Sequence, residues 1–147
     1  MEIDGCGCPP TAGLGRVHHV FVNVKDMARA RPFYEWLMPH LGYATSWAYE
    51  GSHGFLSPHG SFWLKAVDPR FAADAFHKDR VGLCEIAFAA TSREEVDALG
   101  RALVERGATV LDRPREYPEY VPGYYAVFFA DPDGLKLELV HIPGFGA

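Results

Sequence analysis

Apolar and polar side chains along this chain follow two periods, and the order in which the periods appear occurs twice. From residue 16 the alternation is strand-like. Val17-His18-His19-Val20-Phe21-Val22-Asn23-Val24 predicts a strand with Val20, Val22 and Val24 on one face and His19, Phe21 and Asn23 on the other. The period then lengthens: Asp26 is placed to cap a helix running to about His40, with Phe33, Trp36, Leu37 and Leu41 on one stripe. Pro32 lacks a donor for that helix, so a bend or a 3-10 start is predicted there. Gly42 ends the helix, and strand-like runs follow at 43–49, 55–57 and 61–67.

After a charged, Pro69-containing connection at 68–80 the pattern restarts. Residues 83–89 alternate as a strand. Ser92 and Glu95 make a capping box for a helix carrying Val96, Leu99 and Leu103, closed by Gly107. A short strand at 109–111, a Pro/Tyr-rich loop at 113–123 and a hairpin over 124–141, turned by Asp131-Pro132-Asp133-Gly134, complete the second half. Strand, helix, glycine and three strands, twice over, is an internal duplication. Laying Gly42 on Gly107 with a one-residue gap puts His19 opposite Glu85, and at the far ends Lys65 falls opposite Glu138. The predicted architecture is α+β: two βαβββ modules, 16–67 and 81–142, forming one cupped mixed sheet with the helices outside. Residues 1–15 are read as a tail, and 16–142 as a single domain.

Composition narrows the partners. At 147 residues, 48% hydrophobic, the chain suffices for one core, and its formal charge of −5 without a basic cluster argues against nucleic acid. No apolar run reaches the roughly 20 residues that cross a bilayer, and no signal peptide opens the chain, so a cytoplasmic protein is expected. Cys6, Cys8 and Cys84 do not form a disulfide or zinc pattern. Side-chain parity supplies the candidate chemistry. His19, Lys65, Glu85 and Glu138 all fall on the face turned from the helices, and a carboxylate such as Glu138 among leucines needs a partner.

These features resemble the vicinal oxygen chelate superfamily, which includes glyoxalase I, bleomycin and fosfomycin resistance proteins, methylmalonyl-CoA epimerase and extradiol dioxygenases. The resemblance lies in the His19-to-Asp26 opening, Phe33-Tyr34, Leu41-Gly42, and the 128–139 closing segment with its Asp-Pro-Asp-Gly turn and Glu138. Tyr124-Tyr125 before the last hairpin points to a glyoxalase-like, uncharacterised branch. The resemblance implies a divalent metal (Zn, Ni, Mn or Fe) held by His19 and Glu138. Glu85 stands where the second module usually presents a histidine, and Lys65 where several members carry a carboxylate. It also implies a homodimer.

Two functions follow. In the first, the protein is a small metalloenzyme of lyase or isomerase type. His19, Glu85 and Glu138 hold the metal, a chelated oxyanion or enolate is stabilised, and Glu85 or Glu138 acts as base. An extradiol dioxygenase is a poorer match, since it uses two histidines and one carboxylate. In the second, Lys65 lies between Glu85 and Glu138 and neutralises both, and the cup is a metal-free pocket for a metabolite or antibiotic. In either case Phe21, Trp63, Lys65, Tyr120, Tyr124 and Tyr125, with Trp47 and Tyr117, are expected to line a pocket for a planar small molecule, or else to pack at a subunit interface. His53 and His59, in Gly/Pro-rich turns, are expected to be solvated, and His141 is given no role.

Overall fold

The computed structural model describes residues 15–144; Cys6 and Cys8 lie outside them. Alternating runs become β1 (His19–Val24), β2 (Thr45–Tyr49), β3 (Ser52–Ser57) and β4 (Gly60–Ala66) in the first module, with α1 (Met27–His40) after β1. The second module repeats this as β5 (Ile86–Ala89), α2 (Arg93–Arg106), β6 (Thr109–Glu116), β7 (Tyr125–Ala130) and β8 (Lys136–His141). Each module is a four-stranded sheet, ordered β1-β4-β3-β2 and β5-β8-β7-β6. In each, the first strand is an edge that pairs in parallel with the last, and the other ladders are antiparallel.

The duplication is closer than the sequence indicated. Both helices have 14 residues. Their caps, Asp26 and Ser92 at the start, Leu41 and Gly107 at the end, are each 66 positions apart. No gap is needed, and Gly107 is the counterpart of Leu41. His19 therefore corresponds to Glu85, and Phe21 to Ala87. Strand pairing then fixes the far strands: Phe21 faces Trp63, whereas Ala87 faces Glu138. The counterpart of Glu138 is Trp63, two residues short of the expected Lys65.

Other expectations are corrected locally. Pro32 sits inside a regular α1, with no 3-10 start; Ala28, whose carbonyl would lose its donor to Pro32, is exposed, so water can serve it. β6 continues well past residue 111, through Pro114, because two register shifts against β7 absorb the mismatch. His53 is buried rather than solvated: it stands on the helix-side face of β3, edge-on to Phe55, with Nε2 3.7 Å from Glu35 Oε1. Burial lowers its pKa, and among the described residues Nε2 has no hydrogen-bond partner. His59 is exposed, as expected.

Helix-facing residues of both sheets merge in one core. Val22, Val24, Phe62 and Leu64 with Tyr34, Leu37 and Met38 of α1 join Val127, Phe129, Leu137 and Leu139 with Val96, Leu99 and Leu103 of α2. The Asp131-Pro132-Asp133-Gly134 turn pins the modules together. Asp131 Oδ1 accepts from the Asp133 and Leu135 amides at 2.9 and 2.8 Å, and Gly134 supplies the positive φ of 87°. Its other oxygen, Oδ2, takes the Tyr34 hydroxyl at 2.8 Å from α1 of the first module. The Lys25 amide donates to Asp133 Oδ2, and Arg29 to the Pro132 carbonyl.

Both Tyr34 and Asp131 are buried, so removing one partner strands the other. Tyr34→Phe should lower stability by about 1.5–3 kcal/mol in urea unfolding, the usual worth of a hydrogen bond to a charged group. An unchanged midpoint would show that the turn does not depend on α1.

Candidate functional site

Turned away from the shared core, each sheet presents an outward face, and strand register sets the side chains in rows across it. On the first sheet the middle row runs Phe21, Trp63, Gly54, Trp47. Phe21 stacks on Trp63 with centroids 5.6 Å apart and planes 14° from parallel, and Trp47 approaches at 6.4 Å. Gly54 leaves the space: a Cβ there would lie 2.6 Å from the Trp63 ring. Ser61 Oγ holds the indole Nε1 at 2.9 Å. Phe21 is 53% exposed and Trp47 58%, so this row is open. His19, Ser61, Leu56 and Thr45 flank it on one side, and Asn23, Lys65, Ser52 and Tyr49 on the other.

The corresponding row of the second sheet runs Ala87, Glu138, Phe128, Asp112, and here the face is covered. Residues 117–124 fold over it. Tyr117 packs on Phe128 and stacks with Tyr120, and Tyr124 lies edge-on to both tyrosines. Beneath them Glu138 is 1% exposed, and the Tyr124 hydroxyl donates to its Oε1. Burial raises the Glu138 pKa above the usual carboxylate range; the Tyr124 hydrogen bond opposes the rise, and the charge of Glu85 adds to it. The Tyr124 phenol is itself pushed up, by burial first and then by the Glu138 bond. Tyr117 is held the same way through Asp112, at 2.7 Å.

Two expected contacts are corrected. Lys65 does not lie between the carboxylates. It is exposed on β4 beside Asn23, and the cation that reaches Glu85 is Lys136, with Nζ 2.6 Å from Oε2 and 4.5 Å from the Phe128 centroid. This contact is an ion pair by distance without the alignment of a hydrogen bond, and among the described residues Glu85 Oε2 has no other partner. Lys136 stands two residues before Glu138 on the same strand face, a parity the sequence already carried. Tyr125 is turned to the helix side: its hydroxyl donates to Asp97 of α2 at 2.7 Å, and Arg93 lies 4.9 Å over its ring.

Glu85 and Glu138 are thus together on the second sheet, whereas His19 is on the first, exposed, with its Nδ1 3.1 Å from Nδ1 of His18. Among the described residues no ion pair, hydrogen bond or ring contact joins the two outward faces. Nor do three or more His, Cys, Asp or Glu side chains gather where a cation could sit. A metal of the kind the resemblance implies takes at least three protein ligands. Within one chain the residues present do not fit it, because each carboxylate already has a proton donor or ammonium and the histidine is elsewhere.

Paired βαβββ modules that share one core define a class of small α+β domain. Residues 16–139 match the Glyoxalase/Bleomycin resistance protein/Dioxygenase superfamily, and the chain belongs to it. It is 36% identical over 126 residues to the uncharacterised protein YqjT of Bacillus subtilis (strain 168), spanning 84% of this chain and 97% of that one. The crystal structure of a glyoxalase-like protein from Bacillus halodurans is 32% identical with a TM-score of 0.75, covering 88% of this chain and 97% of the other. A glyoxalase/bleomycin resistance protein from Albidiferax ferrireducens T118 is 27% identical with a TM-score of 0.71, covering 86% and 98%.

The raised pKa of Glu138 has a signed consequence. The folded chain holds that proton more tightly than the unfolded chain, so the protonated form favours folding. This contribution is lost as pH rises from the ordinary carboxyl value through the raised one. The stability of Glu138→Gln relative to the unsubstituted protein should therefore increase across that window in pH-dependent urea melts; a difference independent of pH would contradict the assignment.

Proposed function

We propose that this protein binds a small molecule on its outward faces without a metal. The observation that carries this reading is the state of the two carboxylates: Glu138 is sealed under Tyr124, and Glu85 is paired with Lys136. A dication at these carboxylates would have to displace the phenol that donates to Glu138 and the ammonium beside Glu85. The open aromatic row of the first sheet supplies the contact surface. Glu138 and Tyr124 form a proton-holding pair at the floor of the second face, beneath residues 117–124. The bleomycin-resistance part of the superfamily name and of the Albidiferax relative is in keeping with such a role.

A second reading is favoured by one observation. His19 is exposed, and among the described residues the one polar contact of its side chain is with His18, so it is available to a second copy. A metalloenzyme of lyase or isomerase type, with Zn, Ni, Mn or Fe on His19, Glu85 and Glu138, requires His19 of one copy beside the carboxylates of another. A homodimer belongs to both readings, and the unpaired edges of β1 and β5 are places where copies can join while the first sheet's face stays open. A cytoplasmic location is part of the proposal; among the described residues no helix is long and apolar enough to cross a membrane.

Metal analysis separates the readings. Protein incubated with Zn²⁺, Ni²⁺, Mn²⁺ or Fe²⁺ and then desalted should retain none of them. One ion per chain, lost in His19→Ala and in Glu138→Gln, would replace the metal-free reading by the metalloenzyme.

A further inference from the structure

The aromatic row of the first sheet carries a charge pattern that its hydrophobicity hides. The protein has 19 acidic and 14 basic residues, yet β1, β2, β3 and β4 contain no aspartate or glutamate at all. On the outward face the ionisable groups beside the row are His19 on one flank and Lys65 and the Tyr49 phenol on the other, with His18 next to His19, and Phe21 and Asn23 also border a cavity lined by Arg80 and Asp133. Asp68, two residues beyond the end of β4, is gripped by Arg70 through two contacts of 3.0 Å. Glu50 stands in the β2–β3 turn beyond Tyr49, off the row. The face is flat where Gly54 lies under Trp63, and aromatic over three strands out of four.

From this we infer that the first sheet's outward face is a binding site for a planar aromatic anion. The rings of Phe21, Trp63 and Trp47 take its π system, and Lys65 takes its negative group. This deepens the small-molecule reading above and rests on it. Stacking on aromatic side chains accepts any flat ring and so sets the shape. Charge sets the sign: an aromatic cation would also be drawn to indole faces, but it would find no carboxylate on these strands and would be repelled by Lys65. The site is built by specific residues. Ser61 fixes the Trp63 ring in plane, and the missing side chain at Gly54 lets it lie on the sheet.

The test uses three probes: 2-naphthoate, the uncharged 2-naphthylmethanol of nearly the same size, and cyclohexanecarboxylate, a smaller anion without a flat ring. The three indole N–H signals in a nitrogen-15 correlation spectrum give the location. Trp36 lies on α1 under Arg106, 4.9 Å away, and serves as the internal control. We expect 2-naphthoate to shift Trp63 and Trp47 saturably and to leave Trp36 in place, 2-naphthylmethanol to bind more weakly, and cyclohexanecarboxylate not to bind. Lys65→Gln should weaken 2-naphthoate alone, making it no better than the alcohol. Trp63→Leu should weaken both aromatic probes by about tenfold or more; if it does not fold, Trp47→Leu at the exposed edge strand gives the same reading.

The inference is overturned if no probe shifts Trp63, if cyclohexanecarboxylate shifts it as well as 2-naphthoate does, or if Lys65→Gln changes nothing. It is also overturned if Trp63→Leu converts a dimer to a monomer in sedimentation while no probe binds, since the face is then an interface between copies. Naphthoate bound with unmoved Trp63 and shifted Tyr120 and Tyr124 would sink this site and keep the small-molecule reading. Naphthoate on Trp63 in a protein that also retains one metal ion would keep this site and sink the metal-free reading.

Discussion

The structure depends on a buried carboxylate that is spent on folding. Asp131 uses one oxygen to close the β7–β8 turn and the other to hold Tyr34, so one side chain ties the second module's hairpin to the first module's helix. Burial raises its pKa even though three hydrogen bonds oppose the rise. With the turn pinned to α1, the helix-facing sides of both sheets share a core, and the opposite sides are left to face outward. The candidate residues His19, Glu85 and Glu138 lie on those two faces.

Duplication gave the faces the same frame and divergence gave them different contents. At one equivalent position the first module has Trp63, lying open over Gly54, and the second has Glu138, sealed beneath Tyr124. Where the first face has no carboxylates, the second has Glu85, Glu138 and Asp112, each met by a phenol or a cation. The open, aromatic, acid-free face is suited to holding a ligand. The covered face is suited to keeping a proton. A metal would need groups from both.

Much of the frame was legible because alternation and helical spacing are local signals. His19, Val20 and Phe21 lie on the faces their parity gave, the helix caps are Asp26 and Ser92, and the βαβββ repeat is present twice. Contacts across strands were not legible to the same degree, since register is set by pairing partners and not by the run itself. Aligning the modules by their terminal glycines was off by one residue and the far strands were matched two residues out of register, which put Lys65 where Trp63 belongs and hid Lys136 as the ion-pair partner of Glu85. His53 was missed because Gly51 and Gly54 read as a turn, whereas the strand runs through Gly54 to make room for an indole. Tyr125 was misplaced for a similar reason: the strand begins at that residue, and its first side chain points to α2.

The central claim is that Glu138 and Glu85 have their partners within the chain. Carbon-13 signals of the two side-chain carboxyls, followed through pH with and without excess Zn²⁺, test it directly. The account requires Glu138 to titrate above the usual carboxylate range and both signals to be indifferent to the ion. A Zn²⁺-dependent shift of both carboxyls, with the Glu138 titration moved to lower pH, would contradict it.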